Sequence, residues 1–160
     1  MAVAASAIVL FIGIRVFMNS QSSPEEIYNE AFVDFNLSAA RGSNGNESDI
    51  EKFYQQKNYT AVTTTTRSRI LSAKDSLLIG LSYLHADKTG QAIRFFEKIA
   101  SANSDFQQDA EFYLSLGYLK EKRYDKAARL MKQIAASPAH LYHEQITPGL
   151  LEDVDDLQKK

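Results

Sequence analysis

The side chains whose type and spacing come nearest to doing chemistry are His140 and His143, three apart in His140-Leu141-Tyr142-His143-Glu144. Two imidazoles at that interval on a helix can share a metal ion. A zinc centre needs further ligands in context, and the chain has neither a longer zinc motif nor a single cysteine. Solvated or capping histidines are therefore the expectation, with an accessory enzymatic role for the pair kept only as something to test. Carboxylates cluster at Glu152, Asp153, Asp155 and Asp156, the pattern of a water-facing surface. A glycine-rich phosphate loop, a Ser-His-Asp arrangement with a recognisable elbow and paired carboxylates in an apolar setting are all missing. No catalytic residue, cofactor or metal ligand is assigned, and an enzyme is the weakest functional class.

Composition narrows the field further. At 160 residues, 44% hydrophobic and 24% charged, the chain suits one small domain with one core. Its formal charge of −2 supplies no basic field for a phosphate backbone, which argues against nucleic acid as a partner. The absence of cysteine rules out disulfides and thiolate chemistry while indicating no compartment. Asn36, Asn46 and Asn58 each open an Asn-x-Ser/Thr triplet, read here as unused.

The elements that must position any site begin with Ala2 to Met18, apolar except for Ser6, Gly13 and Arg15. A membrane-spanning helix takes about 20 such residues, with about 17 as the lower limit. No Lys or Arg precedes Ala7, unlike the basic start of a signal peptide. Residues 1–18 are accordingly expected to anchor the chain in a membrane. Taken literally, Arg15 would keep the carboxy-terminal side in the cytoplasm, whereas a basic segment upstream of a truncated or misassigned start would place it outside.

Residues 19–48 comprise a linker, a helix and a polar loop. Ser23, Pro24 and Glu26 form a helix-start signal, and Ile27, Ala31, Phe32 and Phe35 fall on one face of the helix that follows. The Ser, Gly and Asn of 36–48 predict a surface loop. A second helix from Asp49 leads through Lys57-Asn58-Tyr59 into a third, Thr60 to Ala73, in spite of the threonines at 63–66. Further helices are predicted at about 75–86, 89–102, 106–121, 124–136 and 139–146. A last acidic stretch, Leu150 to Gln158, sets Leu151, Val154 and Leu157 opposite the carboxylates and suits a cap within 147–160.

Within this series an echo recurs at an interval of 35 residues: Tyr83 with Tyr118, Ala92 with Ala127, Arg94 with Arg129, Ile99 with Ile134. It resembles the tetratricopeptide repeat, a helix-turn-helix unit of about 34 residues. Gly80 and Tyr83, then Ala92, Phe96 and Ile99, fill the family's small and aromatic positions. Ser115, Tyr118, Ala127, Met131 and Ile134 do so in the next unit, where Tyr124 takes the turn position that Thr89 leaves without an aromatic. The units span roughly 74–104 and 109–138, with a weaker one at 49–71, inside a repeat region of 49–146. The expected fold is all-α, a short right-handed superhelix of antiparallel pairs behind one hydrophobic helix. The layout also looks like that of small membrane-anchored bacterial proteins, which implies repeats on the periplasmic side of an inner membrane.

The resemblance implies a groove lined by the first helix of each unit. Its positions fall on Lys74, Leu77, Leu81, Leu84 and His85, and on Asp109, Phe112, Leu116, Leu119 and Lys120. Many of the leucines serve equally well as core, so Lys74, Leu81, His85, Asp109, Phe112, Leu116 and Lys120 are the candidate binding set. His85, Phe112 and Lys120 are best suited to touch a partner. Leu77 and Leu81, or Phe112 and Leu116, stand where chaperone-binding members carry Lys and Asn, which argues against a carboxylate clamp and for an apolar peptide. The function implied is a membrane-tethered protein-interaction scaffold without chemistry. The alternative is a structural subunit that stacks on copies of itself.

Overall fold

Three copies of one backbone turn organise the helices. The computed structural model describes residues 23–37, 47–65 and 71–159. Among them lie eight helices and no strand: α1 Pro24–Ala31, α2 Asp49–Gln55, α3 Tyr59–Thr64, α4 Ala73–His85, α5 Thr89–Ala100, α6 Gln107–Lys120, α7 Tyr124–Ala135 and α8 Pro148–Gln158. Lys57, Asp87 and Lys122, which follow α2, α4 and α6, have φ of 54°, 53° and 57°. In each turn the left-handed residue and its successor donate back into the helix just ended. Lys57 and Asn58 donate to Tyr54 and Phe53, Asp87 and Lys88 to Leu84 and Tyr83, Lys122 and Arg123 to Leu119 and Tyr118. This paired return of hydrogen bonds closes a helix and turns the chain into an antiparallel partner.

The pairs α2/α3, α4/α5 and α6/α7 stack in sequence, each helix from α3 to α8 packing on the next. The predicted core helices occur within a few residues of their expected bounds. Inner helices α4 and α6 are buried nearly all round, whereas α5 and α7 each bury one stripe. Close approach explains the small residues of the echo. A Cβ on Gly80 would lie 2.5 Å from Cε1 of Phe96, and one on Gly117 would lie 3.0 Å from Cγ1 of Ile93. Their counterparts, Ser115 and Ser82, are fully buried, and both hydroxyls donate to carbonyls of their own helices at 2.7 Å.

Three segments differ from expectation. The first helix begins at the Ser23–Glu26 capping box but ends at Ala31, so Phe32 is on extended backbone and Phe35 lies beyond the helix. Of the helix expected from Thr60 to Ala73, Tyr59–Thr64 is helical, 66–70 lie outside the described residues, and Ala73 opens the next helix. Hydroxyls of Thr63, Thr64 and Thr65 donate to the carbonyls of Thr60 and Ala61 there, a local competition that disfavours propagation. Residues 139–146 form successive turns in place of a helix. His140 N–H reaches back three residues to Ser137, His143 N–H reaches back to His140, and the Tyr142 N–H is taken by the His140 ring. The apolar run of residues 2–18 and most of the polar loop, 38–46, lie outside the described residues. Among those described, no helix is long and apolar enough to cross a membrane.

Two substitutions test this account by denaturant unfolding. Gly80→Ala should cost about 1–3 kcal/mol, since overpacking against Phe96 outweighs the gain in helix propensity. Lys122→Gly should gain about 1 kcal/mol by relieving a left-handed non-glycine residue.

Candidate functional site

The inner face of the stack is occupied by the chain itself. Ile27, Tyr28 and Ala31 of α1 are buried, and α1 packs on α6 and α8. After α1 the backbone extends across the inner helices with its aromatic side chains engaged. Phe32 meets Tyr28 at 5.5 Å, the His85 ring edge-on at 5.7 Å and Tyr113 at 6.0 Å, and Phe35 meets Phe106 at 6.5 Å. The Tyr113 hydroxyl donates to the carbonyl of Val33 at 2.8 Å. Rings of Phe96, Phe112 and Tyr142 surround Tyr113 within 6.0 Å.

Against this segment the expected groove residues take defined places. Leu81, Phe112 and Leu116 are fully buried. Phe112 lies flat against Tyr142, with centroids 4.1 Å apart and planes 7° apart. Asp109 is buried and accepts the Tyr142 hydroxyl at 2.8 Å. Burial raises its pKa, against that hydrogen bond. Lys120 stands 4.6 Å over the Tyr28 ring while pairing with Asp87 at 2.8 Å. Lys74 pairs with Glu51 of the preceding helix pair, both side chains largely enclosed. His85 stacks on Tyr59 at 4.3 Å and comes within 3.9 Å of Asp34. The structure thus brings His85, Asp109, Phe112 and Lys120 to contacts with the segment from α1 or with Tyr142, and sets Lys74 apart, at the start of α4 where it pairs with Glu51 of α2.

Tyr113 and Tyr142 hold this arrangement together and are absent from the expected set. Tyr113 precedes a recognised small position, so period alone marks it as ordinary core. Tyr142 falls in the stretch read as helix, where its stacking on Phe112 had no visible cause. The histidines also acquire definite roles. His140 accepts the Tyr142 N–H on Nδ1, which places its proton on Nε2, 3.2 Å from Glu111 Oε2. Among the described residues no three His, Cys, Asp or Glu side chains gather as a metal site.

Two cavities open beside the α5–α6 loop, one of about 390 Å³ against the start of α4 and a larger one. The larger measures about 680 Å³ and lies between the start of α6 and the end of α7, roofed by the α5–α6 loop and the turns at 137–141. Glu111, His140 and Leu141 are on its wall, and Leu141 is 66% exposed. No protein-family model, curated protein or solved structure matches this chain.

The His85 environment has a pH signature. Burial lowers its pKa from 6.5, the nearby Asp34 opposes this, and Lys57 and Lys120 add to it. The neutral ring is the folded form, so its stabilising contribution is complete above pH 6.5 and is lost as pH falls from there through the depressed value. Thermal unfolding should show this loss below pH 6.5, and His85→Phe should flatten it. Tyr113→Phe should cost about 1 kcal/mol and speed amide exchange in 32–37, measured by mass spectrometry.

Proposed function

We propose that this chain is a non-enzymatic protein-interaction scaffold of the tetratricopeptide type, tethered to a bacterial inner membrane by residues 2–18 with its repeats in the periplasm. One observation carries the reading: the stacked pairs seat an amphipathic helix and the segment that follows it, residues 24–35, by ring contacts and a hydrogen bond from the Tyr113 hydroxyl to the Val33 carbonyl. That is the chemistry of helix-in-groove recognition, used within one chain. A partner on the same face would have to expose Ile27 and Tyr28, at about 1.5–3 kcal/mol for each large side chain. The partner therefore docks with this segment in place, on the edge left open by the α5–α6 loop and the 137–141 turns. The alternative, a subunit stacking on copies of itself, has the exposed Leu141 in its favour.

Photo-crosslinking in membranes of the source bacterium tests this with the full chain. A reactive residue at Gln133, beside the open edge, should yield a heterologous adduct, while one at Glu30 on α1 should not. Adducts confined to Glu30 would refute the docking edge. Adducts of twice the chain mass, with a concentration-dependent dimer by light scattering, would establish self-stacking instead.

A further inference from the structure

We propose that the cavity between α6 and α7 binds a lysine or arginine side chain carried on an extended peptide segment. The peptide nature of this ligand rests on the scaffold reading above; its charge follows from the cavity alone. At about 680 Å³ the space is that of a ligand site, and two stretches separated in sequence, 103–111 and 130–141, converge on it. Its charged lining consists of Asp105 and Glu111, with no Lys or Arg to attract an anion. Glu111 is held in place from both sides, accepting Gln107 Nε2 at 2.8 Å on one oxygen and facing His140 with the other. Asp105 projects from the exposed loop at the same wall, with no hydrogen bond or ion pair of its own.

A second, independent observation concerns a polar group beside this space. Ser104 is on the cavity wall, and its buried hydroxyl oxygen has no hydrogen-bond partner among the described residues. Such a group ordinarily costs stability unless something completes it. Apolar surface accompanies the polar groups, because Leu130, Ile134 and Leu141 share the wall. A long basic side chain matches both, laying its methylene stem on the leucines and presenting its cationic head to the carboxylates. The carboxamide of Gln133 is free to bond an adjoining peptide group.

Calorimetric titration of the full chain in detergent with three blocked tripeptides tests the proposal: acetyl-Ala-Arg-Ala-amide and its Ala and Glu counterparts at the central position. The arginine peptide should bind about tenfold more tightly than the alanine one, and the glutamate peptide more weakly still. Asp105→Asn and Gln133→Lys alter exposed side chains outside the core, and each should weaken the arginine peptide by about tenfold with circular dichroism unchanged. Equal binding of the arginine and glutamate peptides, or affinities within about twofold in both variants, would overturn it. If that happens while the Gln133 adduct still forms, the basic-side-chain assignment fails and the scaffold stands. Loss of the adduct with arginine selectivity intact refutes the scaffold reading and keeps the cation site.

Discussion

The hydrogen bond from Tyr113, whose ring is fully buried, to the carbonyl of Val33 joins residues 80 apart in sequence. Desolvation pushes the phenol pKa far above its usual range, so the hydroxyl remains a donor at any pH the fold survives. Much else depends on this contact. An isolated helix as short as the eight residues of α1 is marginal in water, and its capping box alone does not hold it. Docking on Tyr113, His85 and Phe106 is what makes residues 24–35 part of the domain, and in turn that segment keeps the apolar inner face from water.

The outer architecture is a chain of nearest-neighbour contacts. Between the first and second pairs, Lys74 pairs with Glu51 and the Ser48 hydroxyl donates to Asp75 at 2.7 Å. Between the second and third, the Tyr118 hydroxyl donates to Glu97 at 2.8 Å, and its pKa is pushed up to about 12, first by burial and then by that carboxylate. Lys132 and Asp155 join the third pair to α8. The more exposed of these contributes little to stability, so the stack is held mainly by apolar contact, with polar clasps setting register. Val154 and Leu157 of α8 cover the end of the stack while its carboxylates face outward.

These facts separate two surfaces that a groove-binding reading treats as one. The inner face has its ligand built in, whereas the cavity at the α5–α6 edge keeps an unpaired hydroxyl and free carboxylate and amide groups beside apolar wall. The proposed recognition of a partner with residues 24–35 in place would put binding at that edge, while the full burial of Phe112, Leu81 and Leu116 gives them a part in stability. Truncating Phe112 would therefore report on folding before it reported on any partner.

Much of the fold was legible because local signals agreed. The alternation of small and large residues from Gly80 to Ile134 set the helix pairing. Ser23 with Glu26 marked one helix start, whereas the last helix begins at Pro148 behind a Thr147 cap, two residues before the acidic stretch expected from Leu150. The turn after α2 matched its two successors even though its flanking threonines weakened the pattern. The site was less legible, since periodicity distinguishes a buried stripe from an exposed one without saying what buries it. His85 and Lys120 look like contact residues in sequence, and their contacts are Tyr59, Phe32, Asp87 and Tyr28. By itself the sequence determined the helices, their antiparallel order and the absence of a recognisable catalytic motif, because caps, turns and 3.6-residue periodicity act over a few neighbours. Only the tertiary structure decided that α1 closes the inner face, that 139–146 gives up a helix to stack Tyr142 on Phe112, and that the open cavity lies elsewhere. Those outcomes depend on contacts between segments 29 to 80 residues apart, such as His140 with Glu111 and Tyr113 with Val33, whose energies no local pattern records.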